Sequence, residues 1–320
     1  MIALVTGAAG FIGHHLVNRL LSEGEYVVGL DSLATGDMGR LEPFLVRYPS
    51  QFQFRQVDML DQGKLQEVFK DHQFDTVFHL AALGSVPRSI ADPIGTVQNN
   101  VLSTAHALWL SLKGEVKRFV HSSSASVYGN AGLDIKDEGY YLEPTNPYGV
   151  SKLAAEKMVK VFHSVYGLPT ISLRYFNVYG PGQSPNGAYA AVIPAWLQAL
   201  ERDEPMTIYG DGEQRRDFTY VSNVVEANLL AVSARKDCLG EEYNVGCGRL
   251  TTLNELSQMV GLCWGNSAVV KYCEARPGDI RASMASVAKS GTTLGYHAKV
   301  QVQDGIRRTV EWFKGRGKII

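Results

Sequence analysis

The stretch 2-IALVTGAAGFIGHHLVNRLLS-22 sets the fold. Its first five residues form a short, β-prone apolar run. Gly7, Gly10 and Gly13 follow, and from Phe11 apolar residues recur at helical spacing. Strand, tight turn and helix therefore succeed one another within a single unit. Glycines at that junction allow a sharp turn and close approach of backbone to a ligand. The start of the helix then offers free N–H groups and a positive dipole end, the combination that holds a pyrophosphate. A plain βα turn can carry glycines too, so the trio gains its weight from what surrounds it.

Outward from this unit, β-rich runs at 2–6, 26–31, 52–58, 76–80, 118–122 and 170–175 alternate with helical patterns at 11–22, 64–71, 94–112 and 148–166. Strict alternation implies βαβ crossovers and a parallel sheet covered on both faces, an α/β fold of the doubly wound Rossmann type. The rhythm breaks after Tyr175. There 180-GPGQSPNGAY-189 and 209-YGDGEQRRD-217 separate shorter helices, which predicts a smaller C-terminal lobe over the carboxyl edge of the sheet. The expected division is a dinucleotide-binding domain at 1–175, with 217–247 returning to it, and a substrate lobe from 176–216 and 248–320.

Bulk properties narrow the classes. The 320 residues are 45% apolar and 20% charged with net charge −1, an ordinary composition for a soluble protein. The densest basic run, Arg215-Arg216, is followed at once by Asp217, so no nucleic-acid footprint is expected. No apolar run approaches the roughly 18 residues of a membrane span, and the glycine-rich start is unlike a signal peptide. Four cysteines (Cys238, Cys247, Cys263, Cys273) lack metal-type spacing. Reduced thiols, a cytoplasmic location and no metal are the expectations.

Two ends of a site can be placed. At the cofactor end, Asp31 closes the second predicted strand 18 residues after Gly13, where a carboxylate can accept both hydroxyls of an NAD ribose. It would repel a 2′-phosphate, and no Arg follows immediately, so NAD is preferred over NADP. Asp58 could accept from the adenine amino group, and small apolar Leu80-Ala81-Ala82 leave room for the cofactor to lie across the sheet. At the chemical end, Tyr148 and Lys152 stand four apart at a helix start, on one face. A free phenol titrates near 10; a neighbouring ammonium, the nicotinamide cation and the helix N-terminus would bring it toward working pH. The run 121-HSSSASVYG-129 ends the preceding strand. Ser124 is its expected proton-sharing hydroxyl, Tyr148 the base, Ser122 and Ser123 structural or cofactor-facing, and Tyr128 a packing residue.

TGAAGFIG, Asp31, Asp58, HLAA, SSSASVYG, YGVSK and RYFNVYG occur in order along the chain. With them the sequence resembles the extended short-chain dehydrogenases/reductases, and among these the UDP-hexose 4-epimerases, over nearly its whole length. Segments 83-LGSVPRS-89 and 185-PNGAYAAVIP-194 are most similar to UDP-N-acetylglucosamine 4-epimerases of surface-polysaccharide pathways. The resemblance implies an isomerase with bound NAD. A phenolate takes the 4-OH proton while hydride leaves C4, and the 4-keto sugar turns and receives it on the other face. It further implies Phe11, Ile12, Met59, Asn99, Lys152 and Tyr175 as cofactor contacts beside the glycines. Asn177, Arg216 and Arg276 would meet the diphosphate, Asp279 the uridine ribose, Val192 and Tyr209 the uracil, and Ser85 and Ser283 the sugar. The two arginines are expected in Gly/Pro loops beside an acid.

Departures sharpen the expectation. Sugar-nucleotide dehydratases carry acidic or Cys-Glu pairs where this chain has Ala125-Ser126, so epimerisation without loss of water is preferred. Gly84 stands where glucose/galactose epimerases often have Lys, and Ser283 where those that reject N-acetyl sugars have Tyr. Met284-Ala285-Ser286 has Ser where relatives usually show Asp, without an assignable consequence. The preferred substrate pair is UDP-N-acetylglucosamine/UDP-N-acetylgalactosamine. UDP-glucose/galactose and UDP-glucuronate epimerases, a dehydratase or decarboxylase, and an NAD-binding regulator remain as alternatives. Trp109, Val161, Phe162 and Val165 exceed one core-facing stripe, and the resemblance implies a homodimer through these helices; each could equally pack within its own subunit.

Overall fold

A computed structural model describes residues 1–129, 134–185, 191–265, 269–275 and 281–315. Seven strands form the central sheet: β1 (Ile2–Thr6), β2 (Tyr26–Asp31), β3 (Phe52–Gln56), β4 (Thr76–His79), β5 (Arg118–Ser124), β6 (Thr170–Tyr175) and β7 (Glu241–Val245). Their spatial order is β7-β6-β5-β4-β1-β2-β3, every pair parallel. The order reverses direction at β1/β4, so the crevice outside the carboxyl ends of these two strands is where ligands bind in such sheets.

Burial explains the strand composition. All six residues of β6 and four of the five in β1 are buried, as expected of a sheet covered on both faces. One apolar cluster packs Leu16, Val17 and Leu20 of α1 (Phe11–Ser22) with Val224 and Ala227 of the helix Val221–Val232. A second, on Leu4, Val28 and Val77, includes Leu108, Val159 and Phe162. A third, around Trp196, Ile208, Phe218 and Ile306, is built mainly from residues after Tyr175.

Where elements differ from the sequence-based expectation, the causes are local. β5 runs to Ser124 rather than 122, because Ser122, Ser123 and Ser124 stay in register with Leu173, Arg174 and Tyr175. β3 stops at Gln56, and Asp58 accepts the Leu60 N–H in a turn. The predicted helix 94–112 is three pieces: α3 (Pro93–Val97), a π turn (Gln98–Leu102) and α4 (Ser103–Lys113). Ahead of them α2 (Val86–Ala91) was not expected; Ser85 caps it, accepting from the Arg88 N–H at 3.3 Å. Helix α5 (Pro147–Tyr166), which carries Tyr148 and Lys152, is capped by Asn146 on the Gly149 N–H and stopped by Gly167 at φ 74°.

Candidate active site

Glycine is required at the first turn for reasons of space. A Cβ on Gly13 would stand 2.0 Å from the Gly7 carbonyl oxygen, and one on Gly7, at φ +70°, would meet the Ala81 nitrogen at 2.9 Å. The cleft beside this turn is lined by Gly7, Gly10, Asp31, Asp58, Met59, Leu80, Ala81, Ala82 and Asn99, together with Ser32, Ala34, Thr35, Val57 and Leu83. The Asp31 carboxylate accepts from the Ala9 N–H (3.0 Å) and the Leu33 N–H (2.8 Å), which aims it from the end of β2 into the cleft. Burial raises its pKa and these N–H groups pull it back. A glycine cradle that a Cβ would fill, with a fixed carboxylate at the next strand end, fits a dinucleotide such as NAD.

Phe11, Ile12, Gly13, Ser122, Tyr148, Lys152 and Tyr175 do not line this cleft. Phe11 and Ile12 pack on the cluster around Trp196. Tyr175 is core, its hydroxyl held by Asn228.

The chemical end forms where β5 meets α5. Lys152 is buried and donates from Nζ to the Ser122 carbonyl at 2.7 Å, while burial lowers its pKa to about 8. Burial raises the half-buried Tyr148 phenol, and a hydrogen bond with Ser124 opposes that rise. The Lys152 ammonium is anchored on the β5 backbone at Ser122. Ser124 Oγ also accepts the Ser126 N–H (3.1 Å). Ser123 donates to Glu156 at 2.7 Å and is structural. Tyr128 is fully buried and hydrogen-bonded to Asn244 and Arg174, so it packs.

A second pocket is lined by Asn177, Val192 and Arg216, with Val178, Tyr179, Gln183, Ala191, Ile193, Gln214, Phe218 and Leu253. Asn177 has φ 29°, a strained conformation for a residue other than glycine, and donates to the Asp217 carbonyl at 3.0 Å. Arg216 is not in a loop: it sits on the two-residue strand Arg215–Arg216, whose parallel partner places Arg216 opposite Ser283. Tyr209 ends the strand Met206–Tyr209 and is half-exposed, outside the pocket lining. Arg276, Asp279 and part of 185–194 lie outside the described residues.

Several site-building residues escaped sequence reasoning. Asp217 is fully buried and accepts the N–H groups of Cys247, Gly248 and Ala285, which bind the β7 end to the Arg216 strand. Burial lifts its pKa to about 6. Ser89 accepts the Tyr148 N–H at 3.1 Å. Asn100 bonds both the 83 backbone and Ser151. Only the acid after two arginines was a visible signal. Among the described residues no His/Cys/Asp/Glu group could hold a metal, and no helix is long and apolar enough to cross a membrane. Phe162 is buried, packing within its own subunit, whereas Trp109, Val161 and Val165 are exposed.

Comparison with known proteins agrees with this geometry. The family described as "NAD dependent epimerase/dehydratase family" matches residues 3–246. UDP-glucose 4-epimerase of Thermotoga maritima, solved with UDP-glucose, is 36% identical, with 99% of each chain covered and a TM-score of 0.92. UDP-N-acetylglucosamine 4-epimerase of Methanobrevibacter ruminantium, in complex with UDP-N-acetylmuramic acid, is 36% identical over 98% of each chain, TM-score 0.89. UDP-glucuronic acid 4-epimerase of Bacillus cereus, solved with UDP-glucuronic acid and NAD, is 33% identical over 99% of this chain and 100% of that one, TM-score 0.89. With its sheet order, glycine cradle and paired Tyr148 and Lys152, the chain belongs to the NAD-dependent epimerase/dehydratase family, of the extended short-chain dehydrogenase/reductase class, and its relatives include UDP-sugar 4-epimerases.

Proposed function

We propose that this chain is a UDP-hexose 4-epimerase whose principal pair is UDP-N-acetylglucosamine and UDP-N-acetylgalactosamine. Bound NAD would supply the hydride-accepting and hydride-returning chemistry at C4 of the sugar. The chain's own residues do the remaining work. Tyr148 takes and returns the 4-OH proton, Ser124 shares that hydrogen bond, and Lys152 stiffens the pair from the Ser122 carbonyl. Of the proposed cofactor set, Gly7, Gly10, Asp31, Asp58, Met59, Leu80, Ala81, Ala82 and Asn99 line the cleft, and Phe11, Ile12, Gly13, Ser122 and Tyr175, with Tyr148 and Lys152, are proposed contacts from outside that lining. Asn177 and Arg216, with Arg276, hold the diphosphate; Val192 and Tyr209 border the base, Asp279 the ribose, and Ser85 and Ser283 the sugar. Residues 1–175 with 217–247 form the NAD-binding domain, and 176–216 with 248–320 the nucleotide-sugar lobe.

The observation that carries the substrate choice is Ser283. Ser283 pairs in register with Arg216 on the neighbouring strand, and a side chain of this size would admit an acetamido group that a Tyr would exclude. Incubating the enzyme separately with UDP-N-acetylglucosamine, UDP-glucose and UDP-glucuronate, with chromatography and mass detection, tests this. Expected is a new peak of unchanged mass from the acetylated substrate, lost selectively in Ser283→Tyr. Equal loss for all substrates would sink the pocket argument, and a product lighter by one water would make the enzyme a dehydratase. The exposed Ile94, Val97, Leu102 and Trp109, beside Val150, Val161 and Val165 of α5, support a homodimer through these helices; sedentation as a monomer at micromolar concentration would refute it.

A further inference from the structure

The segment 180–183 leaves the short strand Val178–Tyr179 and passes the proposed diphosphate pocket, where Gln183 stands with Asn177 and Arg216. Gln183 also lines a neighbouring groove with His14, His15 and Arg40, so it stands between the two. Its Nε2 donates to the Val178 carbonyl at 3.1 Å and its N–H to the Gly180 carbonyl at 3.3 Å, which folds the segment into a turn.

His15, Arg40 and His14 hold this turn. His15 donates from Nε2 to the Pro181 carbonyl (2.8 Å). Arg40 donates from Nη2 to the Gly182 carbonyl (2.9 Å) and from Nη1 to the Ala9 carbonyl (2.8 Å). The guanidinium is a planar, fixed fork, so it sets the spacing of these two carbonyls. The His14 ring lies against Gly182, where a Cβ would stand 2.8 Å from Cε1. Burial depresses both imidazoles, so each ring is neutral and gives its one proton to a carbonyl, His14 to that of Gly10 at 3.0 Å.

Arg40 comes from the cofactor side. It closes the 3₁₀ turn Met38–Arg40 at the end of the loop that leaves β2, whose Ser32, Ala34 and Thr35 line the cofactor cleft. Asp37 caps that turn on the Gly39 N–H (3.0 Å), and its own N–H donates to the Ala9 carbonyl (3.1 Å). Gly36 packs so closely on the Asp31 carboxylate that a Cβ there would stand 2.6 Å from Oδ1. The path of the loop therefore depends on Asp31, and the charges of Asp31 and Asp37 both act on Arg40.

We propose that Arg40 is a positioning residue for substrate binding. Its guanidinium ties the loop along the cofactor cleft to the Gly182 carbonyl, so a filled cleft fixes Gln183 at the wall of the diphosphate pocket and raises the affinity for the UDP moiety. Such coupling is reciprocal: each ligand strengthens the other by the same factor. The proposal rests on the assignment of UDP to the pocket of Asn177 and Arg216.

The test sets the NAD-loaded parent beside Arg40→Met, which keeps an apolar stem and loses every donor. NAD affinity is read by equilibrium dialysis with and without saturating UDP, UDP affinity by calorimetry, and kcat and KM on the UDP-sugar turned over best. In the parent, UDP should tighten NAD about 10-fold, and in Arg40→Met by less than about twofold. UDP Kd and KM should rise about 10-fold in the variant while kcat moves less than about threefold. A purely structural contact would lower the thermal midpoint and leave the coupling ratio as it was. If Arg40→Met fails to fold, the parent decides: amide exchange across 179–185 should be slower at saturating NAD than below saturation, and equal exchange would overturn the proposal. A parent ratio near one, a ratio retained in Arg40→Met, or a loss confined to kcat would also overturn it. Arg216→Ala separates the two readings. Unchanged UDP binding there removes the pocket assignment, while weakened binding beside intact coupling in Arg40→Met removes only the role of Arg40.

Discussion

Replacing Glu156 by Gln tests how the site is braced from behind. Glu156 and Arg174 are 0% and 1% exposed. Arg174 donates from Nε to Oε2 (2.9 Å) and from Nη2 to Oε1 (2.7 Å), Ser123 donates to Oε2 (2.7 Å), and Arg174 Nη1 reaches the Tyr128 hydroxyl (2.8 Å). Glutamine keeps the shape but replaces one acceptor by an NH2 that faces the guanidinium, and leaves a buried positive charge without its counter-ion. Breaking such a pair costs about 3–5 kcal/mol, a large share of a typical stability of about 5–15 kcal/mol. Chemical unfolding of purified Glu156→Gln should show that loss. The paired change Glu156→Met with Arg174→Met should cost much less than the sum of its singles, since no charge stays buried. Activity should fall too, because Ser123 adjoins Ser124 and Glu156 lies one turn beyond Lys152. A loss below about 1 kcal/mol, the range of an exposed pair, would refute the reasoning.

Tyr148→Phe should lower kcat about 100- to 10,000-fold with NAD content unchanged; retained turnover in a product assay would remove the phenol from the chemistry. Gly13→Ala, whose Cβ would collide with the Gly7 carbonyl, should be purified without NAD, and a normal NAD yield on denaturation would contradict the cradle. Burial lowers His79 from 6.5 to about 3. The unfolded chain therefore takes up its proton first, and the ring's contribution to stability is present above pH 6.5 and is lost as pH falls toward 3. Unfolding midpoints across that window should drop with acid, and less steeply in His79→Gln; parallel curves would place the acid sensitivity elsewhere.

Legibility followed range. The glycine turn, the Asp31 carboxylate at the end of β2 and the helix start that carries Tyr148 and Lys152 are written locally, and sequence reading placed them; Asp58 fell in a turn past the end of β3 instead. Six of the seven strands followed from alternation, the inner ones being buried along nearly their whole length; the seventh, Glu241–Val245, lies beyond the point where the alternation breaks. What stayed hidden depends on contacts between distant segments. Asn100 meets Leu83 and Ser151, 17 and 51 residues away, and Asp217 is fixed by backbone groups from 247, 248 and 285. The π turn that presents Asn100 has no composition of its own; its residues read as ordinary helix. Arg216 opposite Ser283 arises from pairing two very short strands, where two residues carry too little periodicity to announce a strand.

The two networks brace different elements around Tyr148 and Lys152. A buried circuit through His79 and Asn100 holds the cofactor-side turn against Tyr148. The Glu156–Arg174 pair holds Ser123, and so the β5 end, against α5 one turn from Lys152. Both are fully buried and fully hydrogen-bonded among the contacts described, so their low-dielectric surroundings make each expensive to deform. The proposed substrate contacts stand on a different kind of support: two-residue strands, a strained Asn177 and glycine-rich turns. An epimerase must keep base and cofactor still while the sugar presents first one face and then the other. Buried polar ties thus stand behind the proposed reacting groups, whereas the proposed diphosphate contacts stand on a short strand and a turn. On the proposed reading, a change of size at Ser283, which pairs with Arg216 on the neighbouring strand, touches neither buried network.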